Sequence, residues 1–188
     1  MAQARATTGL VYEDLLRMFP GEDKVRRELV GGELTSSPSP TAEHQWVAML
    51  LGRLMADWAL KTGSKAFIGP LDLEFAPGEN RQPDLFAYRP GRAPAAIGRP
   101  VYVVPDLVVE ISSPPTRRHD LGDRRDTYAR FGVPEYWFVD LKERCVLVHR
   151  LGADGRYGPP ERVDRSGRIV SSVLPGFEVA VADFLPED

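Results

Sequence analysis

A chain of 188 residues, 43% hydrophobic and 27% charged, is long enough to bury a sizeable core in one domain spanning residues 1–188 and too apolar to be disordered. A formal net charge of -3 excludes the basic surface of a general nucleic-acid binder, so any nucleic-acid contact must come from a local patch. The N-terminal ten residues carry one arginine and no apolar run, and no later stretch approaches a membrane span, so the expectation is a cytoplasmic protein that does not enter membranes.

In chain order, residues 12–19 show helical spacing that stops at Pro20 and Gly21. Glu28, Leu29 and Val30, then Glu33, Leu34 and Thr35, flank Gly31 and Gly32, a pair suited to the positive φ values of a tight hairpin turn. Thr41 is placed to cap a long helix on which Val47, Leu50, Leu51, Leu54, Met55 and Trp58 form one apolar stripe. Three strand-like runs follow, 66–75, 84–88 and 101–112, and the last is apolar enough for a central strand. A second helix is expected over 121–131, ending at Gly132, then strands over 136–140 and 145–150. The Gly- and Pro-rich remainder reads as a β-rich tail returning through 167–173 and 177–181. The single cysteine, Cys145, lies in one of these apolar runs and reads as packing, which leaves no internal disulfide and no cysteine metal cluster.

The residue that needs explaining is Glu110, an acid inside the run Leu107, Val108, Val109, Glu110, Ile111. Burying its charge without a partner costs several kcal/mol or raises its pKa, so either a cation or an arginine must face it. Asp84 opens a short strand after Pro83, and two carboxylates on neighbouring strands can share one divalent ion. Asp106 is the rival by strand alternation, but four residues along a strand span roughly 13 Å, too far for one ion, so Asp84 is preferred.

Taken in order, these residues resemble the Uma2 family of restriction endonucleases, a branch of the PD-(D/E)XK nuclease superfamily. The resemblance is carried by Glu28 through Leu34 with its paired glycines, Ser37 to Pro40 with His44 and Gln45, Pro83 with Asp84, and Pro105 through Ile111 with Ser113 and Pro114. It continues through Asp120 and Tyr128 to the specific run 132–140 around Tyr136 and Trp137. It implies a restriction-endonuclease-like α/β fold: a central mixed β-sheet flanked by helices, with a β-rich N-terminal hairpin and C-terminal tail. It also implies that Asp84 and Glu110 bind Mg²⁺ or Mn²⁺, with Glu33 as candidate third acid and His44 as a residue that could face the site.

The sequence departs from the superfamily at the lysine, whose usual place two residues after the second acid is Ser112. In this family the resemblance moves the lysine to the following helix, four residues before the tyrosine matching Tyr128, where this chain has Arg124. Arginine keeps the charge and can stabilise a phosphorane, but it stays protonated and cannot serve as a base. Lys142, the nearest lysine, reads as a solvated turn residue. Arg117, Arg118, His119, Arg124, Arg125 and Arg130 form either a basic patch for a phosphate backbone or a charged face balanced by Asp120, Asp123 and Asp126.

The implied activity is that of a metal-dependent endonuclease hydrolysing DNA, and a homodimer is the simplest way to cut both strands. The alternative is a catalytically silent member of the fold that binds nucleic acid or a protein partner; fold alone does not separate the two.

Overall fold

A computed structural model of the chain describes residues 9–20, 26–37, 39–94, 100–112 and 120–187. The first helix, α1 (Tyr12–Met18), opens with the Asp14 carboxylate accepting the Val11 N–H, and it buries Tyr12 and Leu15. The hairpin β1 (Arg26–Val30) and β2 (Glu33–Ser37) turns at Gly31 and Gly32, whose φ values of 58° and 75° are those a side chain resists. Thr41 caps α2 (Ala42–Thr62), its hydroxyl accepting the His44 N–H.

The expected strand over 66–75 divides into β3 (Lys65–Ile68) and β4 (Leu73–Ala76), which belong to different sheets. Pro70, which brings no N–H to a ladder, lies between them. A three-residue strand that the sequence reading did not separate, β5 (Glu79–Arg81), pairs with β4 and with β1, and β6 (Leu85–Tyr88) follows. The run 101–112 yields only β7 (Leu107–Ile111); Val101 forms an isolated bridge to Leu73. The expected helix over 121–131 is a π-helical turn, Asp120–Arg124, continuing into α3 (Arg125–Arg130). The chain ends with β8 (Glu135–Asp140), β9 (Cys145–Arg150), β10 (Glu161–Asp164), β11 (Arg168–Val170) and β12 (Glu178–Ala180).

Six strands form the main sheet in the order β10-β9-β8-β7-β6-β3. Only β7 and β8 are parallel, and α3 lies on the crossover between them, as parallel neighbours require. The sheet is therefore mixed. Alternation sends Leu107, Val109, Ile111, Trp137 and Val139 to one face, against α2 and the C-terminal tail. Val108, Tyr136 and Phe138 point to the other face, where they meet Phe86, Tyr88 and Tyr128 of α3. The smaller sheet, β2-β1-β5-β4, delivers β1 and the residues before β6 to this second face. Cys145 is fully buried and free, as packing requires. Among the described residues no helix is long and apolar enough to cross a membrane.

Candidate active site

The antiparallel register of β6 and β7 sets Leu85 opposite Val109, and Asp84, the residue just before β6, accepts the N–H of Ile111 next to Glu110. Both acids are almost fully buried, at 9% and 2% exposure, so the cost of their charge has to be met locally. The Asp84 Oδ2 atom accepts the Ile111 N–H at 2.8 Å and lies 3.0 Å from His44 Nε2. With the carboxylate ionised, that ring nitrogen carries the proton. Glu110 Oε1 accepts from Arg124 Nη1 at 2.6 Å and from the Tyr128 hydroxyl at 2.5 Å. Arg124 and Tyr128 are four apart and share one helical face.

A third carboxylate joins them. Glu28 on β1 accepts from Arg124 Nη2 at 2.6 Å through Oε2, and from the Gln82 N–H at 2.8 Å through Oε1. Arg124 therefore clamps Glu28 and Glu110 with one guanidinium, a bidentate geometry that lysine cannot reproduce. A second guanidinium, that of Arg26, reaches Asp84 Oδ1 at 3.0 Å, Glu28 Oε1 at 3.3 Å and Glu110 Oε2 at 3.5 Å, and also bonds the Gln82 carbonyl. Behind the site, Arg81 donates to the Leu29 carbonyl and to Thr127 Oγ1, tying β5 to α3.

The electrostatics follow from this arrangement. Burial alone would favour protonated Asp84, but the His44 hydrogen bond and the Arg26 charge outweigh it and hold its pKa below the ordinary value. Glu28 behaves alike, burial being overcome by Arg124 and Arg26. For His44, burial disfavours the imidazolium, and the Asp84 hydrogen bond and charge more than compensate, raising its pKa. The Tyr128 phenol is pushed far up by burial and by the Glu110 charge, so it remains a hydrogen-bond donor.

Of the residues singled out in the sequence, Asp84, Glu110, His44, Arg124 and Tyr128 come together here. Glu33 does not: it lies on the same hairpin face but at the exposed tip, opposite Val30. Glu28, two residues deeper along β1, is the acid carried inward. Asp106 sits at the far end of β7, accepting the Arg89 N–H at 3.0 Å and pairing with Arg89 and Arg92. Ser112 accepts the Leu141 N–H at 2.9 Å, a structural bond between strand ends. Lys142 is solvated beside Glu143. Of the basic cluster, Arg117, Arg118 and His119 lie outside the described residues, whereas Arg125 pairs with Asp126 and Arg130 with Glu79.

Sequence reasoning missed Arg26 and Glu28 as members of the site. Their signal was present in two charged residues spaced by two on a strand, and so on one face of it, with Leu29 on the opposite, apolar side.

Among the described residues, no group of three or more His, Cys, Asp and Glu side chains is arranged to hold a metal ion. A pair of carboxylates is nevertheless a donor set that suits Mg²⁺ or Mn²⁺, hard ions that take one or two protein carboxylates and fill the other positions with water and phosphate oxygens. Asp84 and Glu110 fit this pattern, because each has one oxygen fixed by N–H or O–H donors and the other turned toward Arg26.

A mixed sheet carrying facing acids at the start of one strand and inside the next, with helices packed on both faces, defines a restriction-endonuclease-like fold. The chain belongs to the Uma2 family, described as "Putative restriction endonuclease", whose model matches residues 12–182. It is similar in structure to a protein from Anabaena variabilis described as "a putative nuclease belonging to DUF820", with a TM-score of 0.78 and 18% identity. That match covers 94% of this chain and 97% of the other. At that identity the likeness concerns the fold. No curated protein matches the sequence.

Proposed function

We propose that this protein is a metal-dependent endonuclease that hydrolyses phosphodiester bonds in DNA, with Asp84 and Glu110 as ligands of Mg²⁺ or Mn²⁺. The observation that carries the reading is the convergence of these two acids, each gripped on one oxygen and with the second within reach of the same Arg26 guanidinium. A bound Mg²⁺ or Mn²⁺ supplies a coordinated water of lowered pKa and neutralises charge on the phosphodiester.

The chain's own residues do the rest. His44 and the Ile111 N–H orient Asp84, while Tyr128 and Arg124 orient Glu110. Arg124 adds fixed positive charge near the phosphoryl oxygens on which negative charge develops, a role that needs no proton transfer. Two such sites, one per protomer of a homodimer, would serve the two strands of a duplex.

Purified protein is expected to nick or cut plasmid DNA in Mg²⁺ or Mn²⁺, with cutting abolished in Asp84→Ala and in Glu110→Ala. Equal cutting by both variants would sink the assignment. The silent-member reading has its own observation, because Arg124 and Ser112 hold the two places for lysine and both are engaged in structural bonds. Calorimetric titration with Mn²⁺ separates the readings: absence of binding at millimolar metal favours the silent member.

A further inference from the structure

We propose that Arg26 is the resident cation of the acid pair and competes with the divalent ion for it, so that metal binding requires the Arg26 guanidinium to leave. The inference rests on the metal-site reading given above.

The carboxylates of Asp84 and Glu110 divide their oxygens between two kinds of work. Asp84 Oδ2 and Glu110 Oε1 take the fixed donors, namely the Ile111 N–H and His44 on one acid, and Arg124 and Tyr128 on the other. Asp84 Oδ1 and Glu110 Oε2 both face Arg26, at 3.0 Å from Nη1 and 3.5 Å from Nη2. A single guanidinium thus spans the oxygens that a shared ion would need. A monovalent, planar donor can bridge two carboxylates, but it and a divalent ion cannot occupy the same space.

Arg26 is also the more releasable of the two arginines. Its side chain is 23% exposed, against 9% for Arg124, and it sits at the first residue of β1, where the ladder ends. Its Nε is buried without a hydrogen-bond partner, so the inward position leaves one donor unsatisfied. Arg124, in contrast, makes two bonds of 2.6 Å to Glu28 and Glu110. When an ion arrives, the inward cation that yields is Arg26, and Arg124 stays as the permanent counter-charge of Glu28.

The consequence is a built-in threshold. Without metal, Arg26 keeps Asp84 and Glu110 from repelling each other at close range. With metal, the free energy of binding is reduced by what the Arg26 contacts contributed. Removing Arg26 should therefore strengthen metal binding while weakening the metal-free fold, a pairing of effects that loss of an ordinary structural arginine does not produce.

The test is calorimetric titration of the full chain with Mn²⁺ alone, without DNA, on the parent and on Arg26→Gln, with thermal unfolding of each protein with and without Mn²⁺. The expected result is a dissociation constant lower by on the order of tenfold in Arg26→Gln, from loss of charge repulsion with the incoming ion. The metal-free melting temperature should fall, and the rise on adding Mn²⁺ should exceed the parent's.

If both proteins bind Mn²⁺ with equal affinity, the competition is overturned while the metal site stands. If neither binds at millimolar metal, the proposed metal site fails and the competition fails with it. Should Arg26→Gln not fold, Arg26→Lys decides: it keeps a charge but cannot span both oxygens, so affinity should rise by a smaller factor, and unchanged affinity overturns the inference.

Discussion

Arg124 meets Glu28 and Glu110 with two bonds of 2.6 Å at a buried position, and this sets what substitution there should do. Replacing it with methionine leaves two buried carboxylates facing each other without the guanidinium between them, a loss of about 3–5 kcal/mol by analogy with broken buried pairs. Lysine restores one charge but reaches only one acid at a time, so Arg124→Lys should lie between methionine and the parent in urea unfolding. Equal stability of all three would show that the clamp contributes nothing. A separate residue, His149, is buried on β9 with both ring nitrogens unpartnered, stacked on Tyr136. Burial, helped by the charge of Arg125, pushes its pKa from 6.5 down to about 4. The unfolded chain therefore binds a proton more readily than the folded one between these values, and the stability due to neutral His149 is complete above pH 6.5 and lost as pH falls toward 4. Asp84 and Glu28, whose pKa values are depressed below 3.8 and 4.5, lose their contributions at lower pH. His44, whose pKa is raised from 6.5, contributes fully below that value and loses its share above it. The unfolding free energy from urea titrations should thus fall by roughly 2 kcal/mol between pH 6.5 and 5, and most of that fall should vanish in His149→Phe. A variant that keeps the parent's pH dependence would refute this account.

At the scale of elements, legibility followed the range of the forces involved. The α2 stripe and its Thr41 cap depend on residues within one or two turns, and the structure places helix and cap where the spacing put them. The hairpin at Gly31 and Gly32 is equally local. The run 66–75 misled because its apolar pattern is continuous while its halves pair with partners far apart in sequence, β3 with β6 and β4 with β5. Local periodicity carries no information about which sheet a strand joins. The same limit applies to the site. Glu110 could be singled out because an acid in an apolar run is costly wherever it folds, and Asp84 because it opens the candidate strand before it. Arg26 and Glu28 lie on a hairpin that looks solvated in isolation; Glu28 becomes buried and Arg26 partly so only when β1 pairs with β5 and comes against the end of β6. Glu33 was named as the candidate third acid, and Glu28 was not singled out, for want of that long-range pairing. The π-helical turn that aims Arg124 at both acids likewise has no simple sequence signature.

Across the whole molecule, the C-terminal tail completes the core under the face of the sheet opposite the acids. Phe177 stacks on Trp137 with ring centroids 5.8 Å apart and packs on Trp58 of α2 at 5.5 Å, and the Trp58 indole N–H donates to the Pro175 carbonyl at 2.9 Å. The tail is also anchored by polar bonds: Glu135, fully buried on β8, accepts from the Trp137 indole and from the backbone and hydroxyl of Ser172. Beyond β10 the chain contributes Ile169, Leu174, Phe177, Val179, Val181, Phe184 and Leu185, each at most 3% exposed, to the same cluster as Val109 and Trp137. At about 1.5–3 kcal/mol for each such side chain, their burial is comparable to or larger than the whole stability of an ordinary domain. A chain ending at Asp164 should therefore fail to fold cooperatively, even though the deletion touches neither acid. Its tryptophan emission should shift to the red and its thermal transition should disappear, while Phe177→Ala in the full chain should lower the transition by an amount consistent with about 3–5 kcal/mol. If the shortened chain instead melts sharply at the parent's temperature, β11 and β12 are an appendage, and the support of β7 and β8, hence of Glu110, lies entirely in α2 and the remaining strands.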